Sequence, residues 1–351
     1  MEFIDKALFM ESLLLSRYSK PKPLVAHINI TNRCNLKCEY CYGSYPKKQI
    51  AQDIPTEKWI DLVNELKSLG TKRINIGGGE PLVRKDIGKI VGHMRKNRIL
   101  TNMNTNGHLV KDMMDVVKKL TTVCISIDGN EEIHDKRKGA GSYRKVIEAI
   151  KAAKENGVAV HTSTLISKDN IQTIPSVLEV AKKYGCMAEF LLPFLQGAFP
   201  LLPDSQDIRH LFNNLIKYKK QGYPISMSYN ALRYVLQWPD YQELYTTAIK
   251  KLSPAHIPCY AGKFMCIVDY DGLVYPCSSL VSNPMFAPLN FMEVGFKKAF
   301  ENTLSHQCQS CYSFTSFNDY NMILSGDFKT VLNYIGNSFR EKKFKNRKTF
   351  L

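Results

Sequence analysis

The chain has 351 residues, 44% of them apolar and 23% charged, and its 48 Lys and Arg against 32 Asp and Glu leave a formal charge of +16. That is the composition of an ordinary soluble globular protein, long enough for one large domain and a smaller one. No run reaches the ~18 uninterrupted apolar residues of a membrane helix. The basic residues are spread along predicted helices instead of interleaved with aromatics over one groove, which speaks against nucleic-acid recognition.

Residues 1–23 carry Phe3, Ile4, Leu8, Leu13, Leu14 and Leu15 between Glu2, Asp5 and Glu11. This pattern predicts an amphipathic segment packed on the core, and it lacks the basic start and unbroken apolar stretch of a signal peptide. Ten cysteines without such a signal imply reduced thiols and metal ligation, with the cytoplasm as the expected compartment.

Strand-like and helix-like stretches then alternate. Strands are predicted at 24–30, 73–76, 99–104, 122–127, 158–166 and 187–193. Helices are predicted at 56–69, 84–97, 108–120, 142–156 and 170–184, the first entered at Thr56 as N-cap and left at Gly70. Such alternation argues for an α/β fold with a parallel sheet and right-handed crossovers. Residues 201–257 break the pattern with several prolines and read as a linker or substrate region. Short strands and cysteines mark a small α+β domain at 258–325, where Asp271-Gly272 predicts a hairpin turn. Residues 326–351 read as a solvated basic tail, dense in charge at Arg340, Lys342, Lys343, Lys345, Arg347 and Lys348.

The run Cys34-Asn35-Leu36-Lys37-Cys38-Glu39-Tyr40-Cys41 follows the first predicted strand directly. Three thiolates on so tight a loop reach three corners of one iron–sulfur cube and leave the fourth iron open to a small molecule. A zinc loop is the competing reading, although zinc sites usually use Cys-x2-4-Cys pairs. Further polar groups sit at the ends of later strands: Gly77, Gly78, Gly79 and Glu80 after the second, Asn104 at the third, Ser126 and Asp128 at the fourth. In parallel α/β folds reactive groups gather at those ends.

The C-x3-C-x-Φ-C pattern, with Tyr40 as the aromatic Φ, resembles the signature of the radical S-adenosylmethionine superfamily. Gly77-Gly78-Gly79-Glu80-Pro81 is similar to that family's GGEP turn, and Asn104-Thr105-Asn106-Gly107 and Ser126-Ile127-Asp128-Gly129 to the ends of its third and fourth strands. The resemblance spans roughly 24–200 and implies a partial (β/α)6 TIM-like barrel. It implies a 4Fe–4S cluster on Cys34, Cys38 and Cys41, with S-adenosylmethionine on the open iron. Gly78, Gly79, Glu80, Asn104, Ser126 and Asp128 would contact that cofactor; Tyr40 packs either near the adenine or in the core, and Asp128-Gly129 is otherwise a turn.

Cys259, Cys277, Cys308 and Cys311 resemble the twitch module, the short form of the SPASM domain, which implies a second 4Fe–4S cluster; zinc competes here, and Cys266 is unplaced. The implied activity is reductive cleavage of S-adenosylmethionine and hydrogen abstraction from a peptide or protein. The alternatives are oxidation of a small alcohol or sugar, or a non-catalytic metal scaffold. A flavodoxin- or ferredoxin-type electron donor is the implied partner. His134-Asp135-Lys136-Arg137-Lys138-Gly139 resembles the HDxxRG stretch of peptide-modifying relatives, with Lys138 at the usual arginine.

Overall fold

The structure, a computed structural model, describes residues 2–38, 40–41, 52–193, 200–247, 256–312 and 315–345. Helix α1 (Glu2–Ser16) precedes β1 (Val25–Asn29), α2 (Thr56–Ser68), β2 (Arg73–Gly77), α3 (Ile87–Lys96), β3 (Leu100–Thr105), α4 (Met114–Val117) and β4 (Thr122–Ser126). The alternation continues with α5 (Glu131–Lys138), α6 (Ser142–Glu155), β5 (Ala159–Leu165), α7 (Ile174–Tyr184) and β6 (Met187–Leu191). Then come α8 (Ser205–Lys220), α9 (Tyr229–Gln237), β7 (Tyr245–Thr247), β8 (Met265–Val268), β9 (Leu273–Tyr275) and β10 (Leu289–Asn290). The chain closes with α10 (Phe291–Val294), α11 (Phe296–Asn302), β11 (Cys308–Cys311), α12 (Thr315–Leu324) and α13 (Phe328–Lys345). The fold class is α/β, with β1 to β6 supplying the strands of the partial barrel.

One spacing explains most of the helices. The buried residues are Trp59, Leu62, Val63 and Leu66 on α2, Ile87, Ile90, Val91 and Met94 on α3, and Ile174, Val177, Leu178 and Ala181 on α7. Each set follows i, i+3, i+4, i+7, a single apolar stripe on a 3.6-residue helix. Two expectations change. The helix predicted over 108–120 shrinks to the single turn α4, after Gly107 with φ of 88°. The His134-Asp135 stretch instead forms α5, whose N-cap Asn130 accepts the Ile133 N–H at 3.1 Å.

The chain packs into two compact units, the first comprising Met1–Thr105, Asp112–Val123 and Tyr260–Gln307. Its strands run in the order β10-β9-β8-β1-β2-β3. β1 is parallel to both β2 and β8, and β2 to β3, while β8, β9 and β10 are antiparallel. The predicted Asp271-Gly272 hairpin joins β8 to β9; Gly272 has φ of 89°, and a Cβ there would stand 2.6 Å from Asn290 Oδ1. α1 buries Phe9 and Leu13 and is pinned by Asp5 to Arg98 at 2.7 Å.

The second unit comprises Asn106–Lys111, Cys124–Cys259 and Cys308–Leu351. β5 and β6 are parallel, and β7 pairs antiparallel with β11. The stretch read as a linker holds the amphipathic helices α8 and α9. The reading of a solvated tail is corrected, because residues 328–345 form α13. Lys154 Nζ donates to Phe344 O at 2.6 Å and Gly185 O at 3.1 Å, and His161 Nε2 lies 2.7 Å from Glu341 Oε1. Those anchors come from remote elements, so a local charge run cannot reveal them. Arg347 and Lys348 lie outside the described residues. No helix among the described residues is long and apolar enough to cross a membrane.

Candidate functional site

The loop after β1 is organised by its own backbone. Thr31 Oγ1 accepts the Arg33 N–H at 3.1 Å, Cys34 Sγ accepts the Leu36 N–H at 3.4 Å, and the Cys41 N–H donates to Cys38 O at 3.2 Å. All three thiols are half-buried, as is Tyr40. Burial pushes the Cys34 thiol up to about 11; the Leu36 N–H opposes this, while Glu80, Cys38 and Cys41 add to it. The sequence trio and Glu80 therefore share one electrostatic neighbourhood.

The glycine turn after β2 lies against the stem of that loop. Gly79 N–H donates to Thr31 O and Glu80 N–H to Arg33 O, both at 2.8 Å. A Cβ on Gly79 would stand 2.1 Å from Arg33 O, and one on Gly78, where φ is 113°, 2.3 Å from Thr31 O. These glycines make room first for the chain's own backbone. Glu80 is fully buried, and its Oε1 accepts the Thr105 hydroxyl at 2.8 Å and the Leu82 N–H at 3.2 Å. Asn104 is exposed near the end of β3.

Two networks brace this corner of the first unit. Buried Arg84 donates to Ile30 O at 2.9 Å, Ile54 O at 3.1 Å and Asp86 at 2.6 and 3.0 Å. This contact leads the causes that hold the Asp86 carboxyl down at about 2. Thr56, expected as an N-cap, hydrogen-bonds Asp86 instead, and α2 starts after Pro55. Beneath the turn, half-buried His27 Nε2 lies 3.1 Å from Asn29 Oδ1, and Asn29 Nδ2 donates to Asp269 at 2.9 Å. Burial lowers His27 to about 4.

In the second unit Ser126 is half-buried at the end of β4. Asp128 is buried with its carboxylate 3.4 Å from Lys138 Nζ, its N–H on His134 Nδ1 at 3.1 Å and its carbonyl accepting Asn170 Nδ2 at 2.9 Å. Lys138, which departs from the expected arginine, is thus the counter-ion of Asp128. Arg137 faces Asp169 at 3.8 Å.

Of the second cysteine group, the second unit brings Cys259, Cys308 and Cys311 together. β11 carries Cys308 and Cys311, and the Cys259 N–H donates to Gln309 O at 2.7 Å. Burial, then Cys259 and Cys311, pushes the Cys308 thiol up to about 12. Buried Tyr234, whose hydroxyl hydrogen-bonds Ser310, lies in the field of Cys311 and Cys259. Nothing in the sequence around Tyr234 signals this placement. Cys277 follows β9 in the first unit. Cys266 is fully buried on β8 opposite Ala26, and burial raises its thiol as it does those of Cys124 and Cys186, which fits core packing for all three.

Both thiol groups are half-buried, all-sulfur donor sets reachable from outside, a donor chemistry that fits iron–sulfur ligation. No group of three or more His, Cys, Asp or Glu among the described residues closes on a single metal ion.

Residues 28–181 match the family described as the Radical SAM superfamily. The chain is 31% identical over 173 residues to the Fe-coproporphyrin III synthase of Methanosarcina barkeri, covering 48% of this chain and 43% of that protein. It is 25% identical over 293 residues to the mycofactocin maturase MftC of Mycolicibacterium smegmatis, covering 80% of this chain and 71% of the maturase. Among solved structures, Streptococcus suis SuiB bound to its precursor peptide SuiA superposes with a TM-score of 0.64 at 18% identity, over 85% of this chain and 70% of SuiB. That last similarity is one of fold.

Proposed function

We propose that this chain, whose residues 28–181 match the Radical SAM superfamily, is an enzyme using a 4Fe–4S cluster and S-adenosylmethionine to modify a peptide. The observation that carries this reading is the shared neighbourhood of Cys34, Cys38, Cys41 and buried Glu80. When bound and reduced by a flavodoxin- or ferredoxin-type donor, the cluster and S-adenosylmethionine supply a 5′-deoxyadenosyl radical that takes hydrogen from the substrate. Cys34, Cys38 and Cys41 would hold three irons of the cluster, and Glu80 would offer its carboxylate to the cofactor ammonium, a charge-assisted contact favoured away from water. Asn104, Ser126 and Asp128 are the partners for cofactor hydroxyls, with Lys138 as the counter-ion of Asp128, and Tyr40 packs at the adenine. Cys259, Cys308 and Cys311, with Cys277 as fourth ligand, hold an auxiliary cluster.

The peptide reading is supported by the similarity to MftC, a maturase, over most of this chain. The higher identity to Fe-coproporphyrin III synthase, over about half of it, favours a second reading with a porphyrin substrate. Anaerobic reconstitution, dithionite and S-adenosylmethionine should release 5′-deoxyadenosine, detected by liquid chromatography and mass spectrometry. Its absence from fully loaded protein overturns the enzyme reading. Incubation with short peptides encoded beside this gene, and separately with an iron tetrapyrrole that a Fe-coproporphyrin III synthase would convert, then separates the substrates by which one changes mass.

A further inference from the structure

The second unit presents a pair of polar side chains, Ser163 and Glu189, that none of the roles above uses. Ser163 on β5 is in register with Glu189 on β6, so these parallel strands project both side chains from one face at one level. The Cys124 thiol of β4 hydrogen-bonds Ser163 and lies in the field of Glu189. Ser126 stands two residues further along β4 and hence on the same face. Ser163 and Glu189 are half-buried while their strand neighbours Thr162, Thr164, Ala188 and Phe190 are fully buried. The face bearing the pair is the accessible one.

The polar and charged groups around it are already engaged with other residues. Asp319 of α12 is 9% exposed; Oδ2 accepts the Ser228 N–H at 3.2 Å, and Oδ1 has no hydrogen-bond partner. Its electrostatic neighbours are Lys219, which favours its ionised form, and Glu189, which opposes it. Lys219 Nζ is held by Ile225 O at 2.6 Å. On the same face of β5, His161 already pairs with Glu341. Cys124 and Ser163 carry no positive charge. Glu189 itself has neither an ion pair nor a hydrogen bond among the described residues. A half-buried carboxylate so placed is unfavourable until a cation or donor meets it.

We propose that Glu189 anchors the substrate by taking the ammonium or guanidinium of a lysine or arginine side chain, an inference that rests on the peptide reading above. Ser126, a proposed cofactor partner, stands level with Ser163, since the Ile127 N–H donates to Ser163 O at 3.0 Å, and so lies two strands, ~10 Å, across the face from Glu189; a side chain held at Glu189 therefore places neighbouring peptide atoms beside the cofactor. The same field repels the propionates of a porphyrin.

The test uses full-length, anaerobically reconstituted protein and fluorescein-labelled Gly-Gly-X-Gly-Gly peptides, with X as lysine, arginine, norleucine or glutamate. Fluorescence polarisation should show the lysine and arginine peptides binding about tenfold tighter than norleucine, the size of one charge-assisted contact. In Glu189→Gln the ratio should fall to about one, with Glu189→Asp recovering part of it, and in Glu148→Gln it should persist. No preference in the wild type overturns the proposal whatever the variants do, and so does a preference that survives in folded Glu189→Gln. Release of 5′-deoxyadenosine by the wild type is scored separately. Release without a lysine preference sinks the anchor alone, whereas a Glu189-dependent preference without release sinks the cofactor reading and leaves the anchor standing.

Discussion

The two thiol trios are built in opposite ways. Cys34, Cys38 and Cys41 lie on one loop, set by backbone hydrogen bonds between residues at most three apart. Cys259, Cys308 and Cys311 are separated by up to 52 residues and meet only because the Cys259 N–H is bound to the short β11 strand beside β7. A local loop keeps its spacing for as long as its stem is packed. An assembled site exists only while the surrounding unit is folded, and its metal-binding energy is correspondingly part of folding energy. The contrast teaches that damage to the first trio should act on chemistry, and damage to the second on both chemistry and stability.

The sharpest test of this contrast is to remove each trio. Replacing Cys34, Cys38 and Cys41 with Ala should abolish 5′-deoxyadenosine release and lower iron from about eight to about four per chain. Release that persists would break the assignment of the first trio. Changing Cys308 and Cys311 to Ala should remove a similar share of iron and stop substrate turnover, spare some cofactor cleavage, and lower the thermal midpoint. Cys266→Ala should leave iron content unchanged, since that thiol is sealed in the sheet.

Next in size is the stem of the loop. Gly79→Val drives a Cβ into Arg33 O and should cost about 3 kcal/mol or more, with loss of the first cluster. Gly92→Ala, where nothing lies within 4 Å, should leave both stability and iron in place. Glu80→Gln keeps an oxygen for Thr105 and Leu82 but removes the charge. Cofactor affinity should drop about tenfold, from about 1.5–3 kcal/mol for a charged hydrogen bond, with iron retained. Unchanged binding by calorimetry would reduce Glu80 to a structural cap.

The smallest effect near neutrality is one of pH. Burial lowers both His27 and His134 to about 4 from 6.5. Between those values the unfolded chain binds more protons than the folded one, so stability should fall as pH drops from 6.5 towards 4. His27→Gln and His134→Gln should each shrink that dependence. Equal slopes in denaturant titrations of wild type and variants at pH 6.5 and 4.5 would show that neither histidine is held neutral.

Much of this was legible beforehand. The strand–helix alternation and the i, i+3, i+4, i+7 stripes carry the α/β class, and Cys34, Cys38 and Cys41 with the glycine turn carry the chemistry of the first trio. What the glycines face was not legible. Gly78 and Gly79 suggest close approach of a ligand, yet their missing Cβ atoms make room for Thr31 and Arg33, a packing relation between segments some 45 residues apart. Lys138 reads as a defect in a motif until Asp128 is found beside it.

By itself, the sequence determined whatever depends on neighbours along the chain: the helix stripes, the hairpin at Gly272 and the cysteine loop, because backbone geometry converts short spacings directly into shared faces. Only the tertiary structure decided that residues 328–345 are helical and anchored by Lys154 and His161, that Tyr234 stands beside the second trio, and that Glu189, level with Ser163, has no ion pair or hydrogen bond among the described residues. Each of those pairings joins segments whose separation along the chain bears no relation to their distance in space. Burial alone, by stripping water from a charged or polar group, makes their pairing energetically decisive.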